Sequence, residues 1–421
     1  MKKETVLERF LRYVAIDTQS SENAGNRYPS TAKQKKLSRL LVRELKRLGL
    51  GDAEMDIHGT VMATLPSNLE NEDAGKVPVI GMLGHVDTSP DVSGAGVKAM
   101  IHARYAGGDI SLPAGGTIIR AEENPELQNH IGEDILTSDG TTLLGADNKA
   151  GIAEIMTMLE YFKRHPEIRH GRLRIGFTPD EEIGKGTQYF DVHKFGAHFA
   201  YTVDGASQGE IENETFNAES AVFTVTGVNV HPGYAKNKLV NAVRIAAEIV
   251  MELGKEPAPE NTEKREGYLH PHGIEGGVEK ASVRILVRDF ENAGIEEKRS
   301  RLEAIREKLA ARHPRSRIDL EIQETYRNMK TKLDEDPRAV EYAMEAVRQA
   351  GIRPALQIIR GGTDGAKLCF MGLLTPNIFT GGQNFHSRQE WISVQAMEKA
   401  VATLINLVGI WTERSLAGQA G

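Results

Sequence analysis

Five short segments bring together the side chains that bind divalent metals: His85-Val86-Asp87, Gly145-Ala146-Asp147, Asp180-Glu181-Glu182, Val203-Asp204-Gly205 and Phe385-His386-Ser387. Each alone says little, because a histidine or aspartate at the end of a strand is more often a turn or cap residue. Together they offer two imidazoles and at least three carboxylates, the nitrogen and oxygen donors that suit zinc, manganese or cobalt without thiolate. Cys369 is the single cysteine, so a thiolate zinc finger and an internal disulfide are both excluded, and a reducing compartment fits.

Spacing within the segments divides the work. Residues two apart on an extended strand share a face, so His85 and Asp87 can meet and the carboxylate can orient the imidazole without being a ligand. Neighbouring side chains diverge, so one of Glu181 and Glu182 can bind metal while the other faces an activated water as general base. Asp147 opens a helical run, NKAGIAEIMTML. It is either an N-cap accepting a backbone N–H or a carboxylate shared between two metals.

The elements that must hold these groups follow from periodicity. Helical patterns near 3–16, 31–49 and 148–164 alternate with apolar runs at 60–65, 77–83, 172–177 and 198–204, an α/β texture with acidic residues at strand ends. Residues 88–142, rich in Gly, Pro and Asp, are too long for an ordinary connection and are either functional or disordered. From about 214, alternating strands at 221–228, 281–290 and 317–326 frame helical runs at 239–254 and 295–312, and the α/β texture returns at 336–350, 355–359 and 394–414. The expected architecture is a discontinuous α/β domain, 1–213 and 328–421, carrying a smaller inserted α+β domain, 214–327.

The 421 residues, 40% hydrophobic and 26% charged, are globular in composition, and the net charge of −7 with no basic run gives no footprint for nucleic acid. Glu4, Glu8, Arg9 and Arg12 interrupt the N-terminal apolar residues, so the start reads as an amphipathic helix and not as an export signal. No apolar run is long enough for a membrane span, and the cytoplasm is the default address.

GHVDT, LGADNKAG, PDEEIG, TVDG and NFHS, in this order, resemble the two-zinc metallopeptidases that include aminoacylase and several carboxypeptidases and dipeptidases. YVAIDTQS, FNAES, GVNVHPGYAKNKLVNA, IIRGGTDGA and GGQNFHSRQEW extend the resemblance over the whole chain and towards the tripeptide-specific aminopeptidases. The resemblance implies a two-zinc exopeptidase domain with the inserted domain as its lid. It implies that Asp147 bridges two zincs, with His85 and Asp204 completing one site and Glu182 and His386 the other, Glu181 as general base and Asp87 as the orienter of His85. It also implies that His231, otherwise a solvated loop histidine, reaches the catalytic centre after closure or across a subunit contact, which admits a homodimer. Arg288 is either an exposed strand charge or an anchor for the substrate carboxylate. Gly362 and Thr363, in the GGTDG loop, either approach that anionic end or form a turn capping the next helix. The expected substrate is a small peptide; a sister deacylase or carboxypeptidase and a noncatalytic metal-binding protein are the competing readings.

Overall fold

The structure, a computed structural model, describes residues 3–254 and 256–418. The chain divides into two compact units, one of Met1–Asn213, Thr331–Gln357 and Thr363–Gly421, the other of Glu214–Lys330 with Ile358–Gly362. The short return of Ile358–Gly362 lay outside the expected insertion. It belongs there because Arg360 donates to the carbonyls of Lys264 (2.6 Å) and Glu266 (3.0 Å) and to Thr262 Oγ1 (2.9 Å).

In the first unit the described residues form an eight-stranded sheet. At its centre Leu173–Thr178, Ile80–His85, Phe199–Gly205 and Asn377–Phe379 run parallel to one another. Their near-continuous apolar sequence reflects burial on both faces. The helix Ala146–Arg164 packs over Ile80–His85 and Phe199–Gly205 and is buried along most of its length. Gly151 permits this approach, since a Cβ there would stand 1.9 Å from the Val203 carbonyl oxygen. Val394–Ala417, with Leu404, Leu407 and Trp411 inward, closes the same core.

The 88–142 segment is ordered structure. Met100–His102 and Ile135–Thr137 join Trp391–Ser393 and Gly382–Gln383 in a separate four-stranded sheet. Tyr105, Ile110, Leu112, Ile119, Leu127, Ile135 and Trp391 give this region a core of its own. The short strands escaped sequence reading because two or three residues carry no visible alternation.

The second unit is a four-stranded antiparallel sheet in the order Tyr268–Gly276, Lys280–Asp289, Asn217–Thr226, Arg317–Tyr326, with helices Ala242–Leu253 and Asn292–Arg312 packed on it. Phe223, Val225, Val283, Ile285 and Val287 alternate inward against Ile245, Ile249, Leu302 and Ile305.

Candidate metal centre and active site

The four parallel strands end on one edge of the sheet, where α/β proteins bind their ligands. His85 is the last residue of its strand, Asp204 lies at the end of Phe199–Gly205, and Glu181 and Glu182 follow Leu173–Thr178 in a short 3-10 turn. The turn is set by Asp180, at φ 60°, whose carboxylate accepts from the Ser30 N–H, the Ser30 hydroxyl and Gln34 Nε2. His386, at φ 61°, sits in the hairpin between Gly382–Gln383 and Trp391–Ser393. Residues held in this sparsely populated region are over-determined by their surroundings. Here Asn384 Nδ2 donates to Asn124 Oδ1 (2.6 Å) and Gln389 Nε2 to the Ile118 carbonyl (2.8 Å), so the 88–142 segment fastens the loop that carries His386.

These segments converge on Asp147. One carboxylate oxygen lies 2.9 Å from His85 Nε2 and the other 3.3 Å from His386 Nε2. Asp204 Oδ1 stands 3.3 Å from His85 Nε2, and Glu182 Oε2 2.7 Å from His386 Nε2. His85, Asp147 and Glu182 can each direct one donor atom at a common point, their atoms within 4.8 Å of one another. Asp147 therefore faces two imidazoles that each face a second carboxylate, a shared acid between two half-sites. The His85 side chain is 3% exposed and that of His386 41%, so solvent reaches the cluster from the His386 side.

The donor set fits divalent cations. Asp147, Glu181, Glu182 and Asp204 crowd four carboxylates against two imidazoles, so negative charge is left over even when both rings are protonated. Glu182 Oε1 is buried and has no hydrogen-bond partner. Burial and the Asp147 charge push the Glu182 pKa up to about 8. Burial, reinforced by Asp364, Asp204 and Glu182 and opposed by His85, holds Glu181 well above the usual carboxylate range. Burial would lower the histidines, but the carboxylates outweigh it, keeping His85 well above its ordinary value and His386 at about 11. Glu181, Glu182 and Asp204 are all raised, while Asp147, against its burial, is held below the usual carboxylate range by the two histidines; further positive charge, which metal ions supply, would favour the ionised form of all four.

Residues around the cluster set its orientation. Asp87 accepts the N–H groups of Glu181 (3.0 Å) and Glu182 (3.2 Å), fixing the turn that separates the two glutamates. Its backbone carbonyl, 3.1 Å from His85 Nδ1, is nearer that ring than its carboxylate at 3.4 Å. Asn148 receives the His85 N–H at Oδ1 (3.3 Å) and donates Nδ2 to Asp204 and to the Val203 carbonyl. Glu390 accepts three backbone N–H groups, from Leu144 (2.7 Å), Gly145 (2.7 Å) and Asp147 (3.0 Å). It thus does the capping that sequence offered as one role of Asp147. Sequence reading missed Asn148 and Glu390. Both lie in the quoted motifs, yet neither has a spacing that separates it from an ordinary polar residue.

A model of the peptidase family M20/M25/M40 matches residues 139–409. The chain belongs to that family. It is 47% identical over 412 residues to Peptidase T of Clostridium acetobutylicum, covering 98% of this chain and 100% of that one. It is 48% identical over 417 residues to Peptidase T of Brevibacillus brevis, with the same coverage. Among solved structures the fold is shared with aminopeptidase PepT from Bacillus cereus, at a TM-score of 0.73 and 23% identity over 98% of this chain and 99% of that one. A tripeptidase from Staphylococcus aureus superposes with a TM-score of 0.75 at 20% identity, with the same coverage. A dinuclear metal binding M20 peptidase of Bacillus subtilis gives 0.63 at 14% identity, covering 97% of this chain and 98% of that one.

In this M20 peptidase the remaining candidate residues divide between the units. His231 belongs to the second unit, exposed, its Nδ1 accepting the Gly233 N–H (3.1 Å) and its ring 5.5 Å from that of Tyr234. Arg288, also there, donates to the carbonyls of Glu219 and Val287 (both 2.9 Å) and lies 5.7 Å over the Tyr326 ring. Gly362 packs on Tyr326, which a Cβ would meet at 2.6 Å. Thr363 caps the helix Asp364–Phe370 by accepting the Gly365 N–H at 3.4 Å, the structural alternative for this loop.

Proposed function

We propose that the chain is an aminopeptidase that removes the N-terminal residue from tripeptides with the help of two zinc ions, for which manganese or cobalt can substitute. The observation that carries this is identity of 46–48% over essentially the full length of proteins named Peptidase T. The geometry supports it: a shared Asp147, the pairs His85 with Asp204 and Glu182 with His386 as holders of the two ions, and Glu181 beside them.

When bound, the ions supply Lewis acidity, which acidifies water and polarises the peptide carbonyl. The chain's own residues do the rest. Glu181, half-buried and of raised proton affinity, takes a proton from the attacking water on a carboxylate oxygen and returns it to the departing amine. Asp87, through the two backbone N–H groups, keeps Glu181 turned from Glu182 so that base and ligand stay distinct. Asn148 and Glu390 fix Asp204 and Asp147 from behind, which limits reorganisation during the reaction.

We assign the inserted unit as a lid whose His231 joins the oxyanion on closure or across a homodimer contact, with Arg288 and the Gly362-Thr363 loop as candidate anchors for the substrate carboxylate. Neither nucleic acid nor a membrane is a partner in this reading; among the described residues no helix is long and apolar enough to cross a membrane. The single Cys369 suits the cytoplasm. A panel of free and end-blocked peptides of two to five residues, assayed with metal content measured on the same sample, tests the assignment. Cleavage of Leu-Gly-Gly ahead of dipeptides and pentapeptides is expected, and a preference for N-acetyl peptides overturns it.

A further inference from the structure

We propose that Glu212 is the anion that receives the α-ammonium of the residue to be removed. This rests on the aminopeptidase reading above and names the group that makes the site select a free amine.

The placement follows from strand register. Glu212 pairs with Asn377 across the antiparallel neighbours Glu210–Thr215 and Asn377–Phe379, and Asn377 pairs in turn with Thr202 on the parallel strand Phe199–Gly205. Directly paired residues on adjacent strands share a face. Thr202 lines one small pocket together with Asp204, His85 and Glu181. Thr202, Asn377 and Glu212 therefore form a row that runs across the sheet from the metal cluster.

Two of the three residues carry an oxygen without a partner. Asn377 donates Nδ2 to Glu212 at 2.5 Å, which leaves its Oδ1 buried without a donor, and the Thr202 hydroxyl oxygen is buried without a partner as well. Asn377 is 3% exposed and Thr202 4%. Among the described residues Glu212 has no lysine, arginine or histidine in ion-pair contact; the largest charge effects on it come from Asp204, Glu210 and Asp147, all negative. Burial and these neighbours raise its pKa to about 8. Unpaired buried acceptors around a half-buried carboxylate are costly unless a cationic donor arrives. A primary ammonium suits the row, because its N–H groups can reach a carboxylate and a carboxamide oxygen at once and its charge is opposite to the surroundings. An amine held at Glu212, two strands from Asp204 and on the face that Thr202 shares with it, would also fix the distance from the chain end to the reacting carbonyl, so that only the first peptide bond is presented.

The test compares Leu-Gly-Gly with 4-methylpentanoyl-Gly-Gly, which differs only by the missing amine, on the metal-loaded wild-type enzyme and on Glu212→Gln. Competitive inhibition by leucinol against 4-methylpentanol repeats the comparison without turnover. The variant is expected to keep its metal content, to lose roughly 10–100-fold in kcat/KM on Leu-Gly-Gly with the loss mainly in KM, and to be nearly unchanged on the des-amino peptide. Glu212→Asp should recover part of the selectivity. If wild type selects the amine and Glu212→Gln selects it equally, or if both substrates lose alike, Glu212 is not the anchor. Loss of metal from Glu212→Gln overturns the assignment in favour of a further cation site. A wild-type enzyme indifferent to the amine overturns the aminopeptidase reading and the anchor with it.

Discussion

The backbone N–H of Asp147 donates to Glu390 Oε1 at 3.0 Å, so the carboxylate that faces both imidazoles is held by one that faces neither. With the N–H groups of Leu144 and Gly145 on its other oxygen, Glu390 anchors the start of the helix that carries the shared acid. Glu390→Ala leaves three buried donors unpaired. Metal affinity should fall about 10–100-fold, the usual effect of removing a residue behind the ligands, and the melting temperature should drop. Metal titration of the variant checks this; wild-type affinity would show that the helix start is positioned without Glu390.

In the proposed mechanism Glu181 and Glu182, neighbours in sequence, take different tasks, and substitution should separate them. Glu181→Gln is expected to retain metal and lose about 10²–10⁴-fold in turnover, whereas Asp147→Ala should lose metal. Equal metal content and equal modest rate loss in both variants would contradict the division of labour.

The raised carboxyl pKa values also set the pH response of the metal-free protein. Glu182 at about 8, with Glu181 and Asp204 shifted in the same direction, binds protons more tightly folded than unfolded. That stabilisation is complete below the ordinary carboxyl range of about 4.5 and is lost as pH rises through about 8. His85 and His386, also raised, have the same sign. Metal binding displaces these protons and strengthens as pH rises. Thermal unfolding with chelator should therefore show stability falling from pH 5.5 to 8, while the gain from added zinc grows over the same range. A zinc effect independent of pH would mean the carboxyls are ionised already in the empty site.

Much of this molecule is legible in its sequence where signal is repeated. The long helices, three of the four parallel strands and three of the four strands of the inserted sheet carry enough apolar positions to fix their period, and the candidate segments of His85, Glu182 and Asp204 fall at or just past the ends of those parallel strands; Asn377–Phe379 and Tyr268–Gly276 were not expected. The 88–142 segment is different: its order comes from Leu127, Ile135 and Trp391 meeting across the chain, which no local pattern records. The same limit hid Glu390 and Asn148. Their role is defined by which backbone groups the fold brings to them, 243 to 246 residues away for Glu390.

Gly151 shows how closely helix and strand must approach for the site to form. A methyl group there would collide with the Val203 carbonyl oxygen, the atom that receives Asn148 Nδ2, next to Asp204 in the chain. Gly151→Ala should cost about 1–3 kcal/mol, as overpacking of a filled core does, and should weaken metal binding by displacing Asp204. Denaturant unfolding and metal titration of the variant report both effects; an unchanged midpoint would show that the helix can shift freely.

The central claim, two metal ions serving an aminopeptidase that reads a free N-terminus, is tested most directly by hydrolysis of Leu-Gly-Gly and its N-acetyl form with metal counted on the same enzyme sample. The expected result is two divalent ions per chain at full activity, release of leucine from the free peptide and little or no cleavage of the acetylated one. Full activity with less than one ion per chain, or equal cleavage of the N-acetyl peptide, would contradict it.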